Sequence, residues 1–200
     1  MRGRCRACRA PIPRRYPLVE LATAALFVLC VLHTGARWQT LVDAVACFFL
    51  TGLALMDAQT MLLPDAFTLP GLALAFPLQV FAPHAMHRGT IALRTAENAA
   101  IAAAVLLLVR FVYRAARKRE GIGMGDVKLL AMMAAYLGLP LTLFAFFLAA
   151  VSAAVHALVL LGQRKVTKTD PIAFGSFLAV GGIVATFVGR PVLHWYLALF

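Results

Sequence analysis

The segment Gly121-Ile122-Gly123-Met124-Gly125-Asp126-Val127-Lys128 lies between a run of basic residues and a purely apolar segment. Three glycines in five positions remove side-chain bulk, so another backbone can approach closely. Asp126 stands where a helix is about to begin, and its position permits two interpretations. Either Asp126 caps that helix after a turn formed by Gly123 and Gly125, or it contributes a carboxylate to a chemical site at a membrane boundary.

The composition indicates a membrane protein. Of the 200 residues, 62% are hydrophobic and 14% are charged, and the mean hydropathy is +0.87. Such a chain is too apolar for an ordinary soluble domain. The formal net charge of +11 could suggest nucleic acid, but the basic residues cluster between apolar segments and no known binding module accompanies them. We therefore predict a polytopic protein embedded in the lipid bilayer, with no nucleic acid partner.

The apolar segments predict an all-α transmembrane bundle of about seven membrane helices. They cover residues 18–32, 41–56, 66–81, 91–113, 127–139, 141–161 and 172–188. Pro70 and Pro77 predict a kink in the third helix. Residues 191–200 are too few to cross a bilayer alone, so they form either an interfacial segment or a fragment of a span. The chain divides into a basic segment, 1–17, and a transmembrane domain, 18–200.

The basic residues are unevenly distributed over the predicted loops. If the N-terminus is cytoplasmic, 15 of the 19 Lys and Arg residues face the cytoplasm. This asymmetry is the one that the positive-inside rule describes. The same topology places Asp57 and Asp126 at the cytoplasmic side of the membrane. The sequence therefore predicts that two carboxylates from different helices lie on one face.

Two carboxylates on one membrane face can form the catalytic pair of an aspartyl protease. One ionised Asp accepts a proton from water, while its protonated partner hydrogen-bonds the scissile carbonyl. Helix dipoles favour charge on Asp126, which opens a helix, over Asp57, which follows one, so we expect Asp126 to be the more acidic base. Three alternatives stay open: an unrelated interfacial acid and helix cap, a transporter or proton relay that uses Asp57 and Asp126, and a structural membrane subunit that would tolerate loss of both carboxylates. Asp65, which follows Pro64, is predicted to be a helix cap.

Several motifs carry a resemblance to a known family: Asp57 with Met61-Leu62-Leu63-Pro64-Asp65, Gly123-Met124-Gly125-Asp126-Val127-Lys128, Ile172-Ala173-Phe174-Gly175-Ser176-Phe177, and the segments 2–12 and 16–21. Together they resemble the type IV prepilin peptidases, GxGD-class aspartyl proteases with bitopic substrates. The resemblance implies that Asp57 and Asp126 are catalytic and that Gly123 and Gly125 belong to the active-site motif.

The resemblance also implies a substrate and a location. The expected reaction is removal of a short basic leader from prepilins or type II secretion pseudopilins, after a glycine, at the cytoplasmic face of the bacterial inner membrane. The peptidase needs no cofactor, and many members then N-methylate the new terminus with S-adenosylmethionine. Two roles stay open. Lys128 either orients Asp126 or contacts the substrate, or it is a cation that anchors its helix at the interface. Glu20 either faces the site or pairs with an arginine such as Arg15.

The cysteines depart from the family pattern, in which four thiolates in a cytoplasmic loop bind zinc. Cys5 and Cys8 supply only half of such a site, while Cys30 and Cys47 lie inside apolar spans and are expected to be buried. Two thiolates do not complete a tetrahedral zinc site, so we expect zinc to be absent or to depend on another chain. The pattern suggests that an upstream helix and a first Cys-x-x-Cys are missing, with methylation or folding impaired.

Overall fold

The computed structural model describes residue 8 and residues 13–83, 87–117, 123–163 and 173–198. These residues form helices and no strand, which confirms the predicted all-α class. The helices are α1 (Arg15–Thr34), α2 (Trp38–Thr60), α3 (Asp65–Val80), α4 (Arg88–Arg117), α5 (Met124–Leu137), α6 (Leu139–Gly162), α7 (Phe174–Val184) and α8 (Arg190–Leu197). A π-helical turn, Ala185–Gly189, joins α7 to α8.

Five stretches of the described chain are long and apolar enough to cross a membrane. They are α1, α2, α4, α6 and the continuous helical stretch Phe174–Leu197. The protein is therefore a multi-pass membrane protein. The other two predicted spans correspond to α3 and α5, which have only 16 and 14 residues. Helix α8 continues α7 through the π-helical turn, and the resulting stretch Phe174–Leu197 is long enough to cross a membrane.

Helix α2 is longer than predicted. The apolar segment ends at Met56, and the polar residues that follow predict the end of the helix there; that boundary was wrong. The helix continues through Asp57 to Thr60 and ends at Met61, which has a φ of 53°. The Met61 N–H donates to the Asp57 carbonyl oxygen at 2.8 Å, as in a left-handed helix C-terminus. Asp57 therefore lies within the last turn of α2, where helical backbone fixes the direction of its side chain.

Helix α5 lies at the centre of the bundle, in contact with α2, α3, α4, α6 and α7. Residues 129–136 are buried without a break. Polar contacts also join α5 to α3: the Tyr136 hydroxyl donates to the Gly71 carbonyl and the Gln79 amide donates to the Tyr136 carbonyl, both at 2.9 Å. This packing places the first turn of α5, which carries Asp126, among the ends of the surrounding helices.

Candidate active site

Asp57 is buried at the end of α2, with 5% of its surface exposed. Its Oδ2 accepts hydrogen bonds from the backbone N–H of Ser176 at 2.6 Å and from the Ser176 hydroxyl at 2.9 Å. Ser176 is the third residue of α7, so this N–H is one of those that have no partner within the helix. The positive end of the α7 dipole stabilises negative charge at this position. Asp57 is therefore held by the N-terminus of another helix.

Asp126 is also buried, with 8% of its surface exposed, in the first turn of α5. Its Oδ2 accepts a hydrogen bond from the N–H of Gly123, the N-cap residue, at 3.1 Å. The capping interpretation of Asp126 is thus correct for one carboxyl oxygen. The other oxygen, Oδ1, faces Gly175 of α7. One carboxyl group therefore both caps its own helix and reaches towards α7.

Gly175 separates the two carboxyl groups. A methyl group added to this glycine would lie 3.0 Å from Cγ of Asp57 and 3.1 Å from Oδ1 of Asp126. The sum of these distances, about 6 Å, is an upper limit on the separation of those two atoms. Glycine is needed here because any side chain would press on both carboxyl groups. The structure thus brings Asp57 and Asp126 together, as the topology predicts.

The surroundings of Asp126 favour its protonated form. Burial raises the pKa of Asp126 to about 6, the Gly123 N–H opposes this change, and the neighbouring Asp57 adds to it. The expectation that Asp126 is the more acidic base rested on helix dipoles, which contribute only about 0.3–1 kcal/mol. One pKa unit corresponds to about 1.4 kcal/mol, so burial outweighs the dipole at Asp126. Burial therefore acts on the pKa of Asp126 in the direction opposite to the helix dipole.

Lys128 has a partner that neither sequence interpretation included. Its Nζ lies 2.5 Å from Oδ1 of Asp65, which joins the first turn of α5 to the first turn of α3. Both side chains are partly exposed. The prediction that Asp65 is a cap was wrong, because Pro64 holds the N-cap position in an extended conformation and Asp65 is the first helical residue. Asp65 and Lys128 instead form an ion pair that joins the N-terminal ends of α3 and α5.

The two motif glycines have distinct local roles. Gly123 is the N-cap of α5, and its N–H donates a hydrogen bond to the Asp126 carboxyl group. A methyl group on Gly125 would lie 2.7 Å from Cβ of Leu63, so Gly125 lets the α2–α3 connection pack closely against α5. Leu63 also contacts the position where a side chain on Gly175 would be. Gly125 therefore helps to position Leu63 at the edge of the site.

Glu20 is not brought to the carboxyl pair. It is exposed on α1 and lines a cleft with Tyr16, Leu55 and Gln59. Leu55 and Gln59 each lie two positions from Asp57, and two helical positions are about 200° apart, so the cleft is on the opposite side of α2. Within the described ranges no salt bridge joins Glu20 to Arg15. Of the two alternatives for Glu20, the structure supports neither.

The described residues do not fit a complete zinc site. Cys8 is exposed, and Cys5 lies outside the part of the chain that the structure describes. Cys30 and Cys47 are buried within α1 and α2, as the sequence predicts. Across residues 13–83, 87–117, 123–163 and 173–198 with Cys8, no three His, Cys, Asp or Glu side chains are grouped so that they could hold a metal ion.

Gly175 and Ser176 were not among the predicted site residues, although they lie within a segment that carries the family resemblance. A small-residue pair that opens a helix at the same bundle end as two aspartates is the available signal. The hydrogen bond between Ser176 and Asp57 spans 119 positions in the sequence. Only the docking of α7 against α2 reveals it.

Fold and site together define a class: a multi-pass helical membrane protein whose two buried aspartates face each other at one end of the bundle. The chain belongs to the type IV leader peptidase family, whose model matches residues 44–158. A second model, of the bacterial peptidase A24 N-terminal domain, matches residues 1–34. Neither match supports the transporter alternative. No solved structure matches the chain significantly.

Curated relatives named prepilin leader peptidase/N-methyltransferase are similar over almost the whole chain. The protein from Aeromonas hydrophila is 36% identical, with 100% of this chain and 67% of the relative covered. The protein from Burkholderia pseudomallei is 38% identical, with 96% and 60% covered. The protein from Pseudomonas aeruginosa is 35% identical, with 98% and 66% covered. The chain thus spans about 60 to 67% of the length of these relatives.

Proposed function

We propose that this protein is a membrane aspartyl endopeptidase that removes the basic leader of type IV prepilins or type II secretion pseudopilins. The observation that carries the proposal is the pair of buried carboxyl groups, Asp57 and Asp126, within about 6 Å of each other across Gly175. The names of the relatives, which specify prepilin leader peptidase activity, support the substrate class.

The geometry supports different catalytic roles for Asp57 and Asp126. Asp57, whose Oδ2 accepts two hydrogen bonds, suits the ionised form, and Asp126, whose pKa burial raises to about 6, suits the protonated form. Asp57 accepts a proton from the attacking water as the water oxygen bonds to the scissile carbonyl carbon. Asp126 donates its proton to the carbonyl oxygen as the tetrahedral intermediate forms and takes it back as the intermediate collapses. Asp57 gives the proton that it took from water to the leaving amine as the peptide bond breaks. The two carboxyl groups and water supply the base, acid and nucleophile, so the peptidase step needs no cofactor.

The charge distribution supports an orientation with the active site at the cytoplasmic face of the inner membrane. The segments predicted to lie on the same side of the membrane as Asp57 and Asp126 carry 15 of the 19 Lys and Arg residues. The positive-inside rule assigns such loops to the cytoplasm. A basic leader would then meet the carboxyl pair where the substrate enters the membrane. Cysteine accessibility labelling of the loop at 163–173 and of the connection at 35–37, in intact cells and inverted vesicles, tests the orientation.

N-methylation of the new terminus with S-adenosylmethionine is a separate part of the proposal. The name of the relatives, which includes N-methyltransferase, supports this part. Mass spectrometry of a processed substrate tests it, because methylation adds a fixed mass to the new N-terminal residue. A processed substrate without added methyl would remove this part of the proposal and leave the peptidase intact.

Co-expression with a prepilin tests the peptidase directly. The expected result is a shorter pilin on a gel and a new N-terminus at the leader boundary. Asp57→Asn and Asp126→Asn are the paired negative controls, expressed at matched levels in the membrane fraction. An uncleaved prepilin with the folded wild-type protein, or cleavage that persists in both variants, would contradict the proposed function.

A further inference from the structure

An apolar groove runs along the surface between α6 and α7. Its walls include Val151 and Ser152 of α6 and Phe177, Val180 and Val184 of α7. The lining is almost entirely apolar and has no charged residue. The Ser152 hydroxyl, one of the few polar groups present, donates to a carbonyl of its own helix. The groove therefore offers shape and apolar contact, and little hydrogen bonding, to whatever occupies it.

One end of this groove reaches the carboxyl pair. Ser176 lines the groove and also donates to Oδ2 of Asp57. From Ser176 the groove follows α7 to Val184, eight residues further on, a distance of about 12 Å along the helix axis. The stretch Phe174–Leu197 that contains both residues is one of the candidate membrane spans. A chain lying in the groove would thus run from the active site into the apolar part of the bilayer.

We propose that this α6–α7 groove binds the apolar helix of a membrane-anchored substrate, next to the bond that is cut. This inference rests on the proposed function, which requires a substrate that is held in the bilayer and cleaved at its edge. A peptide inside a bilayer must satisfy its backbone internally, so a helix is the form that it takes there. Ser152 lies along the groove, and a small residue lets a second helix approach closely.

The location of the groove favours a substrate helix over a lipid chain as its functional occupant. A lipid chain can fill any apolar depression at the surface of the bundle. The α6–α7 groove, however, ends at a residue that holds a catalytic carboxylate. The cleft at Glu20, in contrast, is lined by polar as well as apolar groups and lies on the opposite side of α2 from Asp57. Of these two surface features, the α6–α7 groove leads an apolar chain to the site.

Photo-crosslinking tests the occupant. A photoreactive phenylalanine analogue replaces Val180 in the groove or, as a control, Leu108, which is exposed on α4. Both are made in the Asp57→Asn background, so that uncleaved prepilin stays bound in membranes. We expect an adduct with the apolar segment of the prepilin from position 180 and none from position 108. Adducts with lipid alone at position 180, or equal prepilin adducts at both positions, would overturn the proposal.

A kinetic test uses active enzyme and excludes simple misfolding. Val180→Trp fills the groove, so the KM for a prepilin with its apolar segment should rise about ten-fold while kcat changes less than about two-fold. Leu108→Trp should change neither constant. A Val180→Trp enzyme with wild-type thermal stability and an unchanged KM would refute the groove as the binding site. Wild-type cleavage in the same assay separates this result from a failure of the proposed function, which would abolish cleavage in every variant.

Discussion

Ser176 donates two hydrogen bonds to a single oxygen of Asp57, at 2.6 Å from its backbone N–H and 2.9 Å from its hydroxyl. The contact fixes the first turn of α7 against the last turn of α2. Two donors on one oxygen, added to the positive end of a helix, favour a negative carboxylate. This arrangement identifies Asp57 as the member of the pair suited to accept a proton from water.

Replacing the Ser176 hydroxyl should slow the chemical step and leave binding nearly unchanged. In Ser176→Ala the backbone N–H still donates to Asp57, so one of the two hydrogen bonds survives. A net hydrogen bond contributes about 0.5–1.5 kcal/mol, which corresponds to a decrease of about 3- to 10-fold in kcat. Steady-state kinetics of leader removal measure this change, and KM should stay within about two-fold.

The chain offers a matched control for this substitution. Thr23→Ala removes a hydroxyl that donates to a carbonyl oxygen of its own helix, that of Val19 in α1. It should leave kcat unchanged. Partial recovery of kcat in Ser176→Thr, which restores a hydroxyl, would separate a specific effect on Asp57 from a general packing effect. Equal kcat values for Ser176→Ala and wild type would show that the hydroxyl does not position Asp57.

Asp57→Asn and Asp126→Asn should each abolish leader removal. Each removes one of the two carboxyl groups that act as base and acid in the reaction. The double variant should be no less active than either single variant, since residues that act as a unit lose their function together. Residual cleavage in a sensitive gel or mass assay provides the measurement. Normal cleavage by either single variant would exclude the two-carboxylate mechanism.

Gly175→Ala should reduce kcat by more than about ten-fold, because overpacking of this kind typically costs 1–3 kcal/mol. The added methyl group would lie 2.9 Å from Leu63 and about as close to both carboxyl groups, so the pair must move apart. Gly162→Ala is the control, since a methyl group there has no neighbour within 4 Å. Unfolding temperatures of the two variants show whether a loss of activity reflects the site or global instability. Full activity of a stable Gly175→Ala variant would contradict the described geometry.

Leader removal should depend on pH in a direction set by Asp126. Burial raises the pKa of Asp126 to about 6, so this carboxyl keeps its proton to higher pH than an exposed aspartate. If the protonated form is the acid, kcat/KM is high below this pKa and falls as pH rises through it. A pH profile of kcat/KM measures the alkaline limb.

Removing the negative charge at position 57 should move the titration of Asp126 to lower pH. Asp57 is one cause of the raised pKa of Asp126, while burial, the larger cause, stays in place in Asp57→Asn. Site-resolved infrared spectroscopy of the Asp126 carboxyl group in Asp57→Asn and wild type compares the two. An unchanged Asp126 titration would show that the two groups do not interact.

Breaking the Asp65–Lys128 ion pair should have a small effect. The pair is partly exposed, and exposed ion pairs contribute about 0.2–1 kcal/mol. Asp65→Asn should therefore retain most of the leader removal that Asp57→Asn loses, even though the sequence assigned Asp65 a different structural role. A double-mutant cycle on unfolding free energy with Lys128→Met measures the coupling. Loss of cleavage in Asp65→Asn would place Asp65 in the catalytic machinery.

The pairing of Asp57 with Asp126 could be predicted from sequence because it depends on the number of spans and on loop charge. The two helices α3 and α4 lie between these residues, and a chain that runs along one helix and back along the next returns to the same end of the bundle. The end of α2 could not be predicted in this way. The polar residues from Asp57 to Thr60 indicate a helix end, yet the helix continues, and the buried Asp57 side chain is satisfied by α7.

The partners of the two aspartates could not be predicted because they come from helix docking. Ser176 meets Asp57 only when α7 packs against α2, and Lys128 meets Asp65 only when α3 packs against α5. The expectation of an acidic Asp126 left out burial for a related reason. Dipole direction can be read from helix order, whereas the burial that outweighs it at Asp126 is a property of the assembled bundle.

Helix α5 is enclosed by protein on several sides and has 14 residues, about 21 Å of helix. A typical hydrocarbon core is about 30 Å thick, and helices that contact lipid respond to a different thickness by tilting or by deforming the bilayer. Because neighbouring helices surround α5, its length need not match the lipid. The first turn that carries Asp126 is therefore insulated from changes in membrane thickness, while the outer helices absorb them. A membrane of different thickness should therefore act on the pair through α2, which carries Asp57 and is itself a candidate span.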